Sequence, residues 1–224
     1  MKTRLIAAAL LGLTLAAGPL SAKDKPAPTP APVQLSAYVD PDPAKDPDNI
    51  LVLDLSNGGR VMIRLMPAWA PGHIERIKLL TRQGFYNGIV FHRVIDGFMA
   101  QTGDPTGTGT GGSSMPDLKA EFNFMPHVRG TVSMARTEQP DTANSQFFIV
   151  FYPRFALDHR YTNFGRVISG MDIVDAIQRG EPPASPTKIV QASILSDGKA
   201  QPAPVAAPAM PSISASQLNN SKSN

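Results

Sequence analysis

Between Ile50 and Leu195 the chain falls into eight short apolar or alternating runs, and only two other stretches carry helical spacing. The runs are Ile50–Ser56, Arg60–Met66, Ile89–Ile95, Phe98–Gln101, Thr131–Ala135, Gln146–Phe151, Asn163–Ile168 and Ile189–Leu195. The first two flank Asn57-Gly58-Gly59, the turn chemistry of a β-hairpin, and Pro67 ends the second. Ala70-Pro71 opens a helix, because the missing N–H of proline costs nothing in a first turn. Ile74, Ile77 and the Leu79/Leu80 pair give that helix an apolar face, and Gly84 follows as its stop. A second helix fits Met171–Gln178 with Ile173, Val174 and Ile177 inward, followed by Gly180. Strands in this number with two helices between them argue for a closed antiparallel barrel capped by helices. Pattern alone leaves a sandwich open.

The composition excludes several function classes. Of 224 residues, 42% are hydrophobic and 17% charged, the profile of a globular protein with room for one ordinary domain and extras. The net charge of +3 is spread thinly, with no run of five basic residues, so nucleic acid is not an expected partner. Cysteine is absent, which removes disulfides, thiol catalysis and thiolate metal sites. His73, His92, His127 and His159 are scattered without metal-ligand spacing, so no metal is expected.

The ends read differently from the middle. Residues 1–22 have the form of a cleavable secretory signal: Lys2 and Arg4, an apolar run from Leu5 to Ala17, then Leu20-Ser21-Ala22. A membrane anchor is the competing reading, but a span needs about 20 apolar residues and Pro19 stops this run. The mature protein is therefore expected in the periplasm, with no stable membrane insertion. Residues 23–48 are rich in Pro, Ala, Asp and Lys and read as a disordered spacer; residues 199–224 read as a disordered tail. The folded domain is expected over residues 49–198.

Within the domain, Phe91-His92-Arg93-Val94-Ile95-Asp96-Gly97-Phe98-Met99-Ala100-Gln101 sets one arginine and one glutamine among large apolar side chains. A salt-bridged core arginine is one reading, because an unpaired buried charge is costly. In Gln146-Phe147-Phe148-Ile149, residues two apart share a face. Sending Phe147 and Ile149 into the core avoids burying an amide, and leaves Gln146 and Phe148 on the other face. Met99 and Gln101 share a face by the same rule. The outward set is a shallow apolar pocket with a few polar groups, suited to a peptide.

These two stretches, with Ser133-Met134-Ala135-Arg136, Gly109-Thr110-Gly111-Gly112, Leu157-Asp158 and Phe164-Gly165-Arg166-Val167, resemble the cyclophilin family of peptidyl-prolyl cis/trans isomerases. The resemblance covers roughly Asn49 to Asp197 and implies the eight-stranded barrel. It implies Arg93 as catalytic arginine, with Gln101 holding it and bonding the substrate backbone. Phe98, Met99, Phe148 and Leu157 would line a proline pocket walled by Tyr161. Ala135 and Arg136 would contact the residues before proline, Gly109 would lie in a loop beside the substrate, and Gln146 in a neighbouring pocket. No cofactor, metal or nucleophile is implied. The implied substrates are proline-containing unfolded or partly folded exported proteins, handled by a monomer. A proline-segment binder with little turnover is the rival reading.

The chain departs from the family pattern at four places. Tyr161 stands where many members have histidine, Phe155-Ala156 where many have a tryptophan associated with cyclosporin binding, Arg136 for asparagine, and His159 for glycine. Gly107-Thr108-Gly109-Thr110-Gly111-Gly112 matches a dinucleotide fingerprint literally, but both flanks read as loop rather than strand and helix.

Overall fold

The hairpin forms where its turn chemistry places it. Strands β1 (Ile50–Leu55) and β2 (Arg60–Leu65) pair antiparallel with Leu53 opposite Val61. The computed structural model describes residues 35–203; the expected signal segment, residues 23–34 and residues 204–224 lie outside the described residues. Helix α1 (Pro71–Arg82) begins at its proline and is followed by Gly84 at φ 73°. It turns Ile74, Ile77 and Leu80 inward, while Leu79 stays exposed.

Six further strands follow: β3 (Arg93–Ile95), β4 (Met99–Thr102), β5 (Thr131–Met134), β6 (Phe147–Val150), β7 (Asn163–Ser169) and β8 (Ile189–Ile194), with helix α2 (Met171–Asp175) before the last. All pairings are antiparallel, in the order β3-β4-β6-β5-β7-β2-β1-β8. The inner face carries Leu51, Leu53, Val61, Ile63, Val132, Phe147, Ile149 and Phe164 in one buried cluster, and the helices add Ile74, Ile77 and Val174 to it. Burying side chains of this size contributes about 1.5–3 kcal/mol each.

Expectations for the barrel, one strand, one helix and the flanking segments are corrected. The sheet is a half-barrel and does not close through its ladder. The run expected as one strand from Ile89 pairs regularly only from Arg93, and β3 gives its free edge to Gly180 through two backbone bonds. Residues 88–91 and 187–189 are joined by three backbone bonds and the isolated Val90–Lys188 bridge, not by a regular strand ladder. The second helix stops at Asp175 because the Arg179 guanidinium donates to the carbonyls of Asp175 and Ile177, satisfying them without another turn.

A further correction concerns residues 35–48, expected as part of a free spacer. Buried Arg64 donates to the carbonyls of Asp40, Asp42 and Asp46, and the Trp69 indole N–H donates to the carbonyl of Ser36. A guanidinium buried to 4% exposure needs such partners, and a segment of this composition supplies them with its backbone. The start of the expected tail is likewise held, by a bond from Gln191 to the carbonyl of Ala200.

Candidate active site

The β3–β4 hairpin, turned at Gly97 (φ 63°), sets Arg93 directly opposite Gln101, and Gln101 is opposite Phe148 on β6. Side chains two apart then sort as expected. Phe147 and Ile149 are fully buried in the main core, while Met99, Phe148 and Val150 form a second apolar cluster on the other face. Phe98, Ala135, Leu157 and Tyr161 pack on that second cluster. Together with Arg93, Gln101 and Arg136 they line a cavity of about 220 Å³. Met99 and Phe148 are 1% and 4% exposed, so they form a floor, not an outer surface.

Polar groups run along one rim as a chain. Arg93 NH1 points to Gln101 Oε1 at 3.5 Å, and Gln101 Nε2 donates to Gln146 Oε1 at 2.8 Å. Gln146 Nε2 in turn donates to the carbonyls of Gly109 and Gly111. Those glycines belong to a loop wound around Asp104, whose carboxylate accepts from the Thr106 hydroxyl and the amides of Thr106, Gly109 and Gly111. Burial alone would raise the Asp104 pKa, but these four donors outweigh it and hold the carboxyl at about 2. Gln146 and this loop face an adjoining cavity of about 500 Å³, shared with Gln101, Ala135 and Arg136. Gly103 lets β4 run against β6: its φ is 90°, and a Cβ there would sit 2.4 Å from the carbonyl of Ser145.

The floor is braced from behind. Asp158 accepts from the amide and Nδ1 of His127, and His127 Nε2 lies 3.0 Å from Ser133 Oγ. The imidazole stacks on Phe148 with centroids 6.4 Å apart, and Tyr161 meets the same ring edge-on at 5.7 Å. Burial lowers the His127 pKa, with Asp158 opposing, so the ring is a neutral strut at pH 7. The order of groups is that of a hydrolase triad, yet Ser133 is 0% exposed and no substrate can reach it.

All eleven expected residues meet here: nine line the smaller cavity, and Gly109 and Gln146 line the larger one. The strand pattern did not point to Glu181, whose Oε2 accepts from Arg93 Nε at 2.7 Å. Nor did it point to Asp104 or to the His127–Asp158 brace. No local pattern could reveal Glu181, because it lies 88 residues from Arg93. The glycine-rich run 107–112 is loop on both sides, which fits its rejection as a dinucleotide site. Among the described residues no group of three His, Asp or Glu side chains could hold a metal ion.

Residues 50–194 match the family model described as cyclophilin type peptidyl-prolyl cis-trans isomerase/CLD. The chain belongs to this family. It is 48% identical over 172 residues to a "Probable peptidyl-prolyl cis-trans isomerase" of Brucella suis, covering 70% of this chain and 87% of the relative. It is 38% identical over 157 residues to the "Peptidyl-prolyl cis-trans isomerase-like 1" of Aspergillus fumigatus, covering 66% and 96%. Among solved structures, a cyclophilin from Hirschia baltica aligns at TM-score 0.63 and 31% identity, over 68% of this chain and 76% of that one. A cyclophilin-type isomerase from Cryptosporidium parvum, crystallised in the presence of the dipeptide Ala-Pro, aligns at TM-score 0.60 and 28% identity, over 65% and 98%. The enzyme class of this cyclophilin is therefore peptidyl-prolyl cis-trans isomerase.

Proposed function

We propose that the smaller cavity receives the proline ring of an unfolded or partly folded exported protein, and that Arg93 is the catalytic residue. The observation that carries this reading is a guanidinium set against Gln101 at the edge of an apolar pocket floored by Met99 and Phe148. An apolar floor suits the pyrrolidine ring, and the backbone flanking it would run past Ala135, Arg136 and Gln101. The likeness to an isomerase crystallised with Ala-Pro supports the same ligand class.

The barrier to be lowered is amide resonance, about 18–20 kcal/mol. Twisting the X-Pro bond breaks conjugation and localises the nitrogen lone pair. A guanidinium N–H directed at that nitrogen bonds more strongly to the twisted state than to the planar one, which is differential binding of the transition state. One charge-assisted bond contributes about 1.5–3 kcal/mol, or about 10–200-fold in rate. The dry pocket and the bonds of Gln101 to the substrate backbone supply the rest by fixing the substrate. Arg93 has donors to spare: its Nε serves Glu181 and its NH1 reaches Gln101, while NH2 is not engaged by either.

The reading includes export. The signal-like residues 1–22 support a periplasmic enzyme working on secreted chains. A protease-coupled isomerisation assay on an Ala-X-Pro-Phe peptide tests the catalytic claim. Wild type should accelerate the reaction strongly and folded Arg93→Ala should lose most of that gain; equal rates for the two would refute it.

A further inference from the structure

Beside the proline pocket the surface carries two features that burden a lone folded domain. Phe124 is 81% exposed and Phe122 39% exposed, although both flank Asn123, which is 6% exposed. Asn123 is held inward by bonds from its Nδ2 to the carbonyls of Trp69, Glu121 and Asn163. In an extended segment this turns both phenylalanines outward together. The second feature is His159, the one residue other than glycine with positive φ among the described residues, at 57°. That backbone is uncommon outside glycine, and it presents the imidazole edge-on to Phe124 with centroids 5.0 Å apart. Exposed rings and an unfavourable backbone at one place point to a use.

These groups continue the pocket wall. Arg136 lies over the Tyr161 ring at 4.6 Å and over the Phe122 ring at 5.9 Å, and donates to the carbonyl of Arg160. The charges beside the rings are those of Arg136 and Arg160, while the exposed Glu138 and Asp141 lie on the neighbouring loop. Glu121 and Asp158, the carboxylates of the same segments, are turned onto His73 and His127.

We infer that Phe122, Phe124 and His159 form an aromatic ledge for the substrate chain itself. The ledge takes a large apolar residue, with a carboxylate nearby, from the polypeptide whose proline occupies the pocket. Continuity with the pocket through Tyr161 and Arg136, which line it and reach Phe122, selects this occupant. The inference rests on the isomerase reading above and adds client selection to it: extended apolar, acidic segments are held and short peptides are not distinguished.

The test uses three substrates around one Ala-X-Pro-Phe core: the bare tetrapeptide and two extended peptides of equal length. One extended peptide carries Phe and Asp in its flanks and the other Ser and Gly, with placement scanned on both sides of proline. Wild type should show a KM for the Phe/Asp peptide about tenfold lower, the effect of partly burying one phenylalanine. Phe124→Ser should erase that difference and leave the tetrapeptide rate unchanged, and His159→Gly should weaken it. Equal KM values in wild type, or a difference that survives Phe124→Ser, would overturn the ledge. A dimer that Phe124→Ser dissociates, without peptide preference, would assign the face to self-association and overturn it too. Loss of turnover on all three peptides would instead defeat the isomerase reading; affinities of the same peptides by fluorescence anisotropy still decide the ledge.

Discussion

Replacing Asp104 by Asn keeps the shape and removes the charge around which the glycine-rich loop is wound. The carboxylate is 1% exposed and its pKa is lowered from 3.8 to about 2, a preference for the charged form of about 2 kcal/mol. Geometry adds to this. Asp104 Oδ1 accepts from Thr106, while Oδ2 accepts from the amides of Gly109 and Gly111. An asparagine that keeps its oxygen toward Thr106 turns an NH2 toward two N–H donors. Water reaches this surface loop and repairs part of the loss, so unfolding free energy should fall by about 2–3 kcal/mol. Urea unfolding followed at Trp69 gives the global value, and amide exchange at Gly109 and Gly111 reports the loop. Gln146 would lose its two carbonyl acceptors, lowering kcat/KM by about two- to tenfold. The sign of the pH effect follows from the depressed pKa. The stabilisation is complete above about pH 4 and is lost as pH falls from there to about 2, so this part of the acid slope should vanish in Asp104→Asn. A variant within about 0.5 kcal/mol of wild type, with both glycine amides still protected, would refute the reasoning.

Two further outcomes follow from the same geometry. Glu181→Ala should lower kcat two- to fivefold, about what an exposed ion pair supplies, with KM little changed, whereas Glu181→Gln, which still accepts from Arg93 Nε, should stay near wild type; equal loss in both would show that charge and not orientation matters. His73, His92 and His127 are each held below the ordinary imidazole pKa, first by burial, with nearby Glu121, Asp104 and Asp158 opposing. The folded state therefore binds fewer protons than the unfolded chain below about pH 6.5. Stability should be intact above that value and fall on acidification, by at most about 1.4 kcal/mol per pH unit for each histidine; a flat urea midpoint from pH 7.5 to 5.5 would contradict this.

What the sequence discloses and what it hides separate along one line. The β1–β2 hairpin, helix α1 and the two faces of β6 rest on neighbours in the chain: a turn triplet, a proline, an alternation of two. Gln146 with Phe148 on one face is legible because no other register keeps the amide out of the core. The features that were missed depend on contacts far apart in sequence. Residues 35–48 look like a spacer until Arg64 and Trp69 gather their carbonyls. Strand β3 looks longer until Gly180 takes its edge. The second helix looks longer until Arg179 bonds its last carbonyls. Glu181 has no local signature at all, and Asp104 stands in a run whose glycines draw attention to phosphate chemistry instead. The half-barrel is likewise decided at a seam that no single strand encodes.

The central claim is that Arg93 bonds better to the twisted amide than to the planar one. Exchange NMR on a saturating Ala-X-Pro peptide measures both terms at once: affinity from the bound fraction, and cis/trans interconversion on the enzyme. The account predicts that Arg93→Ala binds the peptide about as tightly as wild type and interconverts it about 10–200-fold more slowly. Slower exchange explained wholly by weaker binding, or undiminished exchange, would contradict it.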